Sequence, residues 1–104
     1  MRIDRIVIAG YKFDLRFTQC CVASIRHWYP QIPVSLIKDE SHGAYDTEDL
    51  EAYWDVDTLP LERRIFSWGT PKLEALFLAS GERCLILDSD IVFIGRVLDS
   101  LAEH

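Results

Sequence analysis

The sequence lacks the features that would place it in several large classes of protein. No apolar run approaches the ~20 residues that a membrane-spanning helix requires. No block of Lys and Arg suggests nucleic-acid binding, because acidic residues outnumber basic ones 17 to 11 and the net charge is -6. The phosphate loops G-x-x-x-x-G-K-[ST] and G-x-G-x-x-G are missing, as is the G-x-S-x-G turn of serine hydrolases. A membrane span, a nucleic-acid partner and these three kinds of site are therefore not expected.

Cysteine is also scarce, and its pattern excludes the usual disulfide and zinc frameworks. The chain has three cysteines, Cys20, Cys21 and Cys84, with no C-x-x-C pair. An odd count without such spacing is typical of a reduced, cytoplasmic protein whose thiols are buried in the core. The N-terminal stretch MRIDRIVIAG carries charges within its apolar run and has no small-residue cleavage site, so a signal peptide is not expected.

The patterns that are present alternate between strand and helix. RIVIA, residues 5–9, is a β-branched apolar run of the kind found in buried parallel strands. Residues 34–37 are predicted to form a second strand, and the apolar or nearly apolar residues 84–87 a third. Helical patterns separate these runs, and residues 55–69 fit either a short strand or an ordered loop. At 104 residues, the chain is predicted to be one α/β domain with a mostly parallel sheet and flanking helices.

Three stretches have the characteristics of helices. In the first, Asp14 is the predicted N-cap and Pro30 ends the helix. The acidic stretch DTEDLEAYW predicts a short second helix, and residues 70–81 predict a third, with a Thr-Pro start and a terminal glycine. Spacing of i, i+4, i+8 and i+11 predicts that one face of the first helix is buried. The residues of that face are Phe17, Cys21, Ile25 and Trp28.

Two carboxylates interrupt the last apolar run at its end. Asp88 and Asp90 follow residues 84–87, with Ser89 between them. In an extended chain, residues i and i+2 point the same way, so the two carboxylates are expected to converge while Ser89 points elsewhere. Carboxylates held side by side repel each other, and a divalent cation relieves that repulsion. Oxygen ligands alone select Mg²⁺ or Mn²⁺, which keep coordination positions open for phosphate oxygens.

The same spacing has a second interpretation, because Asp also ends strands by accepting hydrogen bonds from the amides of a turn. A further D-x-D pair, Asp55 and Asp57, follows the helical stretch AYW rather than a strand and is predicted to be solvated or turn-forming. Ten aspartates in 104 residues make such pairs common by chance. The residues alone therefore leave a cation site and a capped turn as alternatives at Asp88 and Asp90.

The segment LILDSDIVFIGRVLDSL resembles the D-x-D region of GT-A type glycosyltransferases, which use nucleotide-diphospho sugars. More narrowly, it is similar to the glycogenin-like and bacterial lipopolysaccharide galactosyltransferase branch. Upstream, RIVIAG, S-I-R-x-x-Y-P and PVSLIKD resemble the first strand, the end of the first helix and the second strand of that family. The resemblance implies that residues 1–104 form a Rossmann-like GT-A half-domain, a nucleotide-sugar-binding domain without the acceptor-binding half.

The resemblance also implies roles for individual residues. Asp88 and Asp90 would hold the metal and reach the ribose or diphosphate, and the residues after the first strand would seat the nucleoside, with Tyr11 stacking on the base. Asp39 would recognise the base, and Lys72, at the start of a predicted helix, would face the diphosphate. The donor-binding residues implied in this way are Ala9, Gly10, Tyr11, Asp39, Lys72 and Asp88.

The expected function is therefore that of a metal-dependent glycosyltransferase or its donor-binding portion, with Mn²⁺ or Mg²⁺ as cofactor and a UDP-sugar as the favoured donor. The missing acceptor half leaves three alternatives for the chain itself: a fragment, a truncated product or a small relative. A catalytically inactive nucleotide-binding or self-associating module of the same fold is the main alternative, since an open sheet edge and exposed apolar surface would favour homo-oligomers. A nucleotidyltransferase or phosphatase-like protein is a third, less favoured because no glycine-rich phosphate loop is present.

Overall fold

The strands form where the apolar runs predict them, because each run can lie buried on both faces of a parallel sheet. The computed structural model describes residues 3–40, 43–59 and 83–102. In chain order the elements are β1 (Arg5–Tyr11), a 3₁₀ turn (Lys12–Asp14), α1 (Leu15–Trp28), β2 (Val34–Asp39), α2 (Glu48–Trp54), β3 (Val56–Leu59), β4 (Cys84–Asp88) and α3 (Val97–Ala102).

The strands in the described part of the chain form one sheet in the order β3-β2-β1-β4. All of its pairs are parallel, and with the flanking helices this confirms the predicted α/β fold class. The chain steps outward from β1 through β2 to β3, then returns across β1 to β4. The order therefore reverses at β1, and the carboxyl ends of β1 and β4 flank a topological switch point, where open α/β sheets bind their ligands.

Strand register brings the predicted site residues to that same edge. Tyr11 at the end of β1 lies opposite Asp39 at the end of β2. On the other side of β1, Ala9 lies opposite Asp88 at the end of β4. Since the carboxyl ends of parallel strands share one edge, these residues are neighbours although up to 79 positions separate them in sequence.

Successive residues of β1 enter two separate cores on the two faces of the sheet. Ile6 and Ile8 pack with residues of α1, and Val7 packs with Ile37 on the opposite face. All four side chains are fully buried. The central strand is thus held from both sides, which makes its carboxyl end a firm support for the loop that follows it.

The buried face of α1 differs from the predicted one. Cys21 and Ile25 are buried as predicted, but Phe17 is 56% exposed and its neighbour Thr18 is buried instead. Gly10 explains the difference, because a Cβ at that position would lie 2.9 Å from the Thr18 hydroxyl oxygen. The missing side chain lets α1 approach β1 at Thr18, so the helix turns that residue inward. The prediction for Phe17 was therefore wrong.

The segment that follows β4 is fastened to the end of α1 by Tyr29. The Tyr29 hydroxyl accepts hydrogen bonds from the amides of Leu98 at 2.9 Å and Asp99 at 3.1 Å, and donates one to the Asp99 carboxylate at 3.0 Å. The Leu98 amide, in the first turn of α3, thereby gains a partner that the helix cannot supply, and the Asp99 amide gains a second acceptor besides the Arg96 carbonyl. Arg96 lies 4.6 Å from the centre of the Tyr29 ring and binds Asp99. These contacts hold the chain in place after the Asp88–Asp90 pair.

The short strand that residues 55–69 allow is β3, and residues 60–69 of that segment lie outside the described ranges. So do the predicted helix over 70–81 and, within it, the role of Lys72. In residues 3–40, 43–59 and 83–102, no helix is long and apolar enough to cross a membrane. The three cysteines form no disulfide, but Cys20 is exposed, so the expectation that all thiols are buried was wrong. Adjacent helical positions lie about 100° apart, and with Cys21 facing the core, Cys20 faces solvent.

Candidate functional site

A cleft of about 320 Å³ opens at the carboxyl edge of the sheet. It lies at the switch point, where the loops after parallel strands converge. A volume of roughly 300 Å³ is at the lower end of the range for small-molecule sites. The cleft is lined by Ala9, Gly10, Tyr11, Asp14, Asp39, Asp88, Ser89 and Asp90. It therefore contains all six predicted site residues that the structure describes.

The two aspartates reach the cleft from a turn rather than from an extended strand. β4 ends at Asp88, and the chain turns at once, with the amide of Ile91 donating to the carbonyl of Asp88 at 3.3 Å. Asp88 is half-buried, while Asp90 is exposed. The predicted extended geometry was therefore wrong, although both carboxylates do line the same cleft. A turn brings them there because it folds the chain back over the strand end.

Ser89 does not point away from the site. Its side chain is only 4% exposed, and its hydroxyl donates a hydrogen bond to the carboxylate of Asp14 at 3.0 Å. Asp14 is the N-cap residue of α1, as predicted, but its side chain makes no hydrogen bond that caps the helix. The Asp14 carboxylate instead faces the turn after β4, where it binds Ser89. The Asp14 carbonyl contacts α1, because it accepts a hydrogen bond from the Thr18 hydroxyl at 3.1 Å.

The end of β1 forms the floor of the cleft. Gly10 is buried between α1 and the β4 turn, where an added Cβ would lie 3.8 Å from the Ser89 Cβ in addition to its clash with Thr18. Tyr11 packs its ring edge-on against Phe13, with 6.2 Å between the ring centres. The neighbouring Asp14 raises the pKa of the Tyr11 phenol, first through its negative charge and also by accepting a hydrogen bond. Tyr11 therefore stays a neutral phenol, with its ring beside the cleft.

Asp39 enters the cleft from the end of β2 and is buried, with 6% exposure. Beside it, the hydroxyl oxygen of Tyr45 is buried and has no hydrogen-bond partner among the described residues. Burial raises the pKa of Tyr45, and so do the negative charges of Glu40, Asp39 and Asp14, in that order. The ammonium group of Lys38 donates to the Tyr45 carbonyl and lies 4.8 Å from the ring centre. Lys38 is thus engaged with Tyr45 and is not among the residues that line the cleft.

The lining of the cleft is strongly acidic. Four of its eight lining residues are aspartates, and no Lys, Arg or His lines it among the described residues. An anionic ligand would meet these carboxylates directly, and like charges at low dielectric repel strongly. Asp88 and Asp90, with the other coordination positions left to water and phosphate, are a donor set that suits Mg²⁺ or Mn²⁺. The described residues contain no set of three His, Cys, Asp or Glu side chains placed to hold a metal, so the protein would supply two ligands.

The second D-x-D pair lies in a different environment. Asp55 adopts a left-handed conformation, with φ of 54°, at the end of α2, which ends the helix in the usual way. Asp57 accepts a hydrogen bond from the buried Ser35 hydroxyl at 2.9 Å and lies 3.6 Å from Arg5. Both are exposed, one ending a helix and the other paired with neighbours, so the prediction of a solvated or turn-forming pair is confirmed.

Cys21 is buried in the hydrophobic core and is not a candidate nucleophile. Burial, followed by the charges of Asp90 and Cys20, raises the pKa of its thiol from 9.0 to about 12. A nucleophilic cysteine requires the thiolate and therefore a lowered pKa. Cys21 is thus a packing residue of the hydrophobic core.

Two residues of the cleft were missed by sequence reasoning. Asp14 was interpreted as a helix cap, and Ser89 was treated as the spacer between two ligands. A signal for Asp14 exists, since it lies in the loop after the central strand, where such sheets collect ligand-binding groups. No comparable signal exists for Ser89, because its burial depends on the turn that begins at Asp88.

No protein-family model and no curated protein matches this chain. Solved structures do match its fold. S. aureus TarS, a glycosyltransferase, superposes on 98% of this chain with a TM-score of 0.68 and 19% sequence identity. A structure of S. aureus TarS 1-349 covers 99% of this chain with a TM-score of 0.70 and 21% identity.

The likeness concerns only a minor part of those proteins. This chain covers 19% of the first TarS chain and 32% of the second. An identity near 20% establishes a shared fold and no more. The described architecture, an all-parallel four-stranded sheet with flanking helices, is accordingly one that a glycosyltransferase uses.

Proposed function

We propose that this chain binds a nucleotide-diphospho sugar in the cleft, as a metal-dependent glycosyltransferase of GT-A type or its donor-binding portion. The observation that carries the proposal is the position of the Asp88–Asp90 turn. It ends β4 at the switch point, in a fold that a glycosyltransferase shares, and presents both carboxylates to one cleft. Ligand chemistry at this edge is the rule for open α/β sheets.

The charge of the cleft supports a cation between protein and donor. A diphosphate cannot approach four aspartates without a compensating positive charge. Asp88 and Asp90 would hold Mn²⁺ or Mg²⁺, which when bound supplies charge stabilisation to the diphosphate leaving group. The remaining task of the protein is to orient the donor so that its anomeric carbon faces the acceptor, and the firmly packed end of β1 suits that task.

The nucleoside would occupy the β1–β2 side of the cleft. Tyr11 offers an aromatic ring beside the cleft, and base–aromatic stacking contributes roughly 1–3 kcal/mol. Asp39, opposite Tyr11 in register, is a buried carboxylate able to accept hydrogen bonds from a base. These positions favour a pyrimidine nucleotide such as UDP, because a cleft of about 320 Å³ has limited room for a larger base.

An inactive nucleotide-binding module of the same fold is the alternative function. It would bind UDP–Mn²⁺ equally well but release no sugar. Hydrolysis of a UDP-sugar by the chain, measured as free UDP, separates the two, since only an enzyme activates the anomeric carbon. Self-association stays a prediction, for which the exposed Val92 and Ile94 after the turn provide apolar surface, and sedimentation velocity measures it. A cytoplasmic location also stays a prediction.

Thermal unfolding with nucleotides and Mn²⁺ tests the proposal. A ligand at 100 times its dissociation constant stabilises the folded state by about 2.7 kcal/mol, which in a domain of this size raises Tm by roughly 10–20 °C. We expect this shift with UDP plus Mn²⁺, a smaller one with GDP or ADP, and none without metal. Asp90→Asn should abolish the shift, while Asp55→Asn, in the other D-x-D pair, should leave it unchanged.

Two results would contradict the proposal. If Asp88→Asn and Asp90→Asn both leave the UDP–Mn²⁺ shift intact, these carboxylates are not the ligands. If the unsubstituted chain shows no metal-dependent shift with any of the three nucleotides, the cleft does not bind a nucleoside diphosphate.

A further inference from the structure

The Ser89–Asp14 hydrogen bond joins the two loops that form the opposite walls of the cleft. Ser89 is the middle residue of the Asp88–Asp90 turn, and Asp14 ends the 3₁₀ turn after β1. Their side chains meet at 3.0 Å, although 75 residues separate them in sequence. The contact is sheltered, because Ser89 is only 4% exposed. A hydrogen bond to a carboxylate is among the stronger side-chain interactions in proteins.

Other roles do not account for the orientation of the Asp14 side chain. It makes no capping hydrogen bond to α1, despite preceding the helix. It does not combine with Asp88 and Asp90 into a three-carboxylate metal set in the described part of the chain. It does accept a hydrogen bond from the Ser89 hydroxyl, and its negative charge raises the pKa of the Tyr11 phenol. Asp14 therefore links the segment after β1 to the turn after β4.

We propose that Asp14 is a positioning residue, which acts through the Ser89 hydroxyl to hold the Asp88–Asp90 turn so that both carboxylates face one divalent cation. The inference rests on the proposed function and extends it to two residues outside the ligand set. Groups that orient metal ligands typically change metal affinity by 10- to 100-fold when removed. The loss expected here is about tenfold, because the backbone hydrogen bond from Ile91 to Asp88 still shapes the turn.

Mn²⁺ affinity in the presence of UDP, measured from the free-Mn²⁺ electron paramagnetic resonance signal, tests this role on the full chain. We expect Ser89→Ala and Asp14→Ala each to weaken Mn²⁺ binding about tenfold. Asp14→Asn keeps an oxygen acceptor for the hydroxyl and should retain affinity within about threefold. In the Asp14→Ala background, Ser89→Ala should cause no further loss, since interacting residues act non-additively.

Ser35→Ala is the matched control for a general loss of stability. Ser35 is also a buried serine, and its hydroxyl donates to an aspartate, Asp57. It lies near the start of β2, at the opposite end of the strand from Asp39 and the cleft. This variant should lower Tm in the absence of ligand and leave the Mn²⁺ affinity of the folded protein unchanged. An effect on affinity equal to that of Ser89→Ala would assign the loss to destabilisation and overturn the inference.

The remaining outcomes separate the inference from the proposed function. If the unsubstituted chain binds Mn²⁺–UDP and Ser89→Ala binds it equally well, only the positioning role is overturned. If Asp14→Asn loses as much affinity as Asp14→Ala, Asp14 acts through its charge rather than through Ser89, and the inference is again overturned. If the unsubstituted chain itself fails to bind Mn²⁺–UDP, the proposed function and the inference are both refuted.

Discussion

Replacing Gly10 by alanine is expected to destabilise the protein, because the space that a methyl group needs is already occupied. The added Cβ would lie 2.9 Å from the Thr18 hydroxyl oxygen and 3.5 Å from a methyl carbon of Leu36. Thr18 is 1% exposed, and its hydroxyl is hydrogen-bonded to the carbonyl of Asp14. It therefore cannot move aside without losing that bond or shifting α1 away from β1.

The size of the effect follows from two opposing terms. Forcing one extra methyl group into a well-packed site costs about 1–3 kcal/mol. Replacing glycine by alanine also reduces the conformational freedom of the unfolded chain, which stabilises the folded state by about 0.4–1 kcal/mol. The net loss expected for Gly10→Ala is about 1–2 kcal/mol, which for a domain of this size lowers Tm by roughly 5–15 °C.

Gly95→Ala is the matched control for this substitution. No heavy atom lies within 4 Å of the position where its Cβ would be, and its φ is not positive. Gly95→Ala also reduces the conformational freedom of the unfolded chain but introduces no clash. Its stability should therefore be unchanged or slightly increased. Urea unfolding of both variants measures the difference.

A second-site change identifies the clash itself. Thr18→Ala removes the oxygen that Gly10→Ala would meet, so the penalty of the glycine substitution should be much smaller in that background. The reasoning is refuted if Gly10→Ala is as stable as Gly95→Ala, or if its penalty is the same with and without Thr18.

Two further predictions concern α1 and its neighbours. Tyr29→Phe removes the acceptor of the Leu98 amide and one of the two acceptors of the Asp99 amide. We therefore expect a loss of about 1–2 kcal/mol and faster hydrogen exchange at Leu98; unchanged exchange there would contradict the role given to Tyr29. Burial raises the pKa of the Cys21 thiol in the folded protein from 9.0 to about 12. The neutral thiol therefore contributes in full to the free energy of unfolding below pH 9, and this contribution declines as pH rises toward 12. Iodoacetamide at pH 9 should therefore alkylate the exposed Cys20 and spare Cys21, as peptide mass spectrometry measures, and equal labelling would show that Cys21 is not sheltered.

Much of the fold follows from the sequence because the apolar runs are unambiguous. Residues 5–9, 34–37 and 84–87 are short, mainly apolar and rich in β-branched residues, which favours buried strands, and their alternation with helices favours parallel pairing. The face of α1 could not be predicted in the same way. Both Phe17 and Thr18 fit a helical period, and the choice between them depends on the close approach at Gly10, a contact distant in sequence.

The candidate site was predictable in membership but not in geometry. Strand ends converge at one edge of any parallel sheet, so Tyr11, Asp39 and Asp88 could be grouped from sequence alone. Whether the chain stays extended or turns after Asp88 depends on what packs against it. Ser89 is buried against the Asp14 side, and no local pattern encodes a partner 75 residues away.

Paramagnetic broadening by Mn²⁺ tests the central claim most directly, because it locates the ion within the fold. In amide spectra of the chain with UDP present, we predict that low concentrations of Mn²⁺ broaden the signals of Ala9, Asp39 and Ser89 first. The signals of Val56 and Asp57, beside the other D-x-D pair, should stay sharp. Two results would contradict the account. One is broadening centred on Asp57, and the other is broadening of the cleft signals that persists in the Asp88→Asn and Asp90→Asn variants.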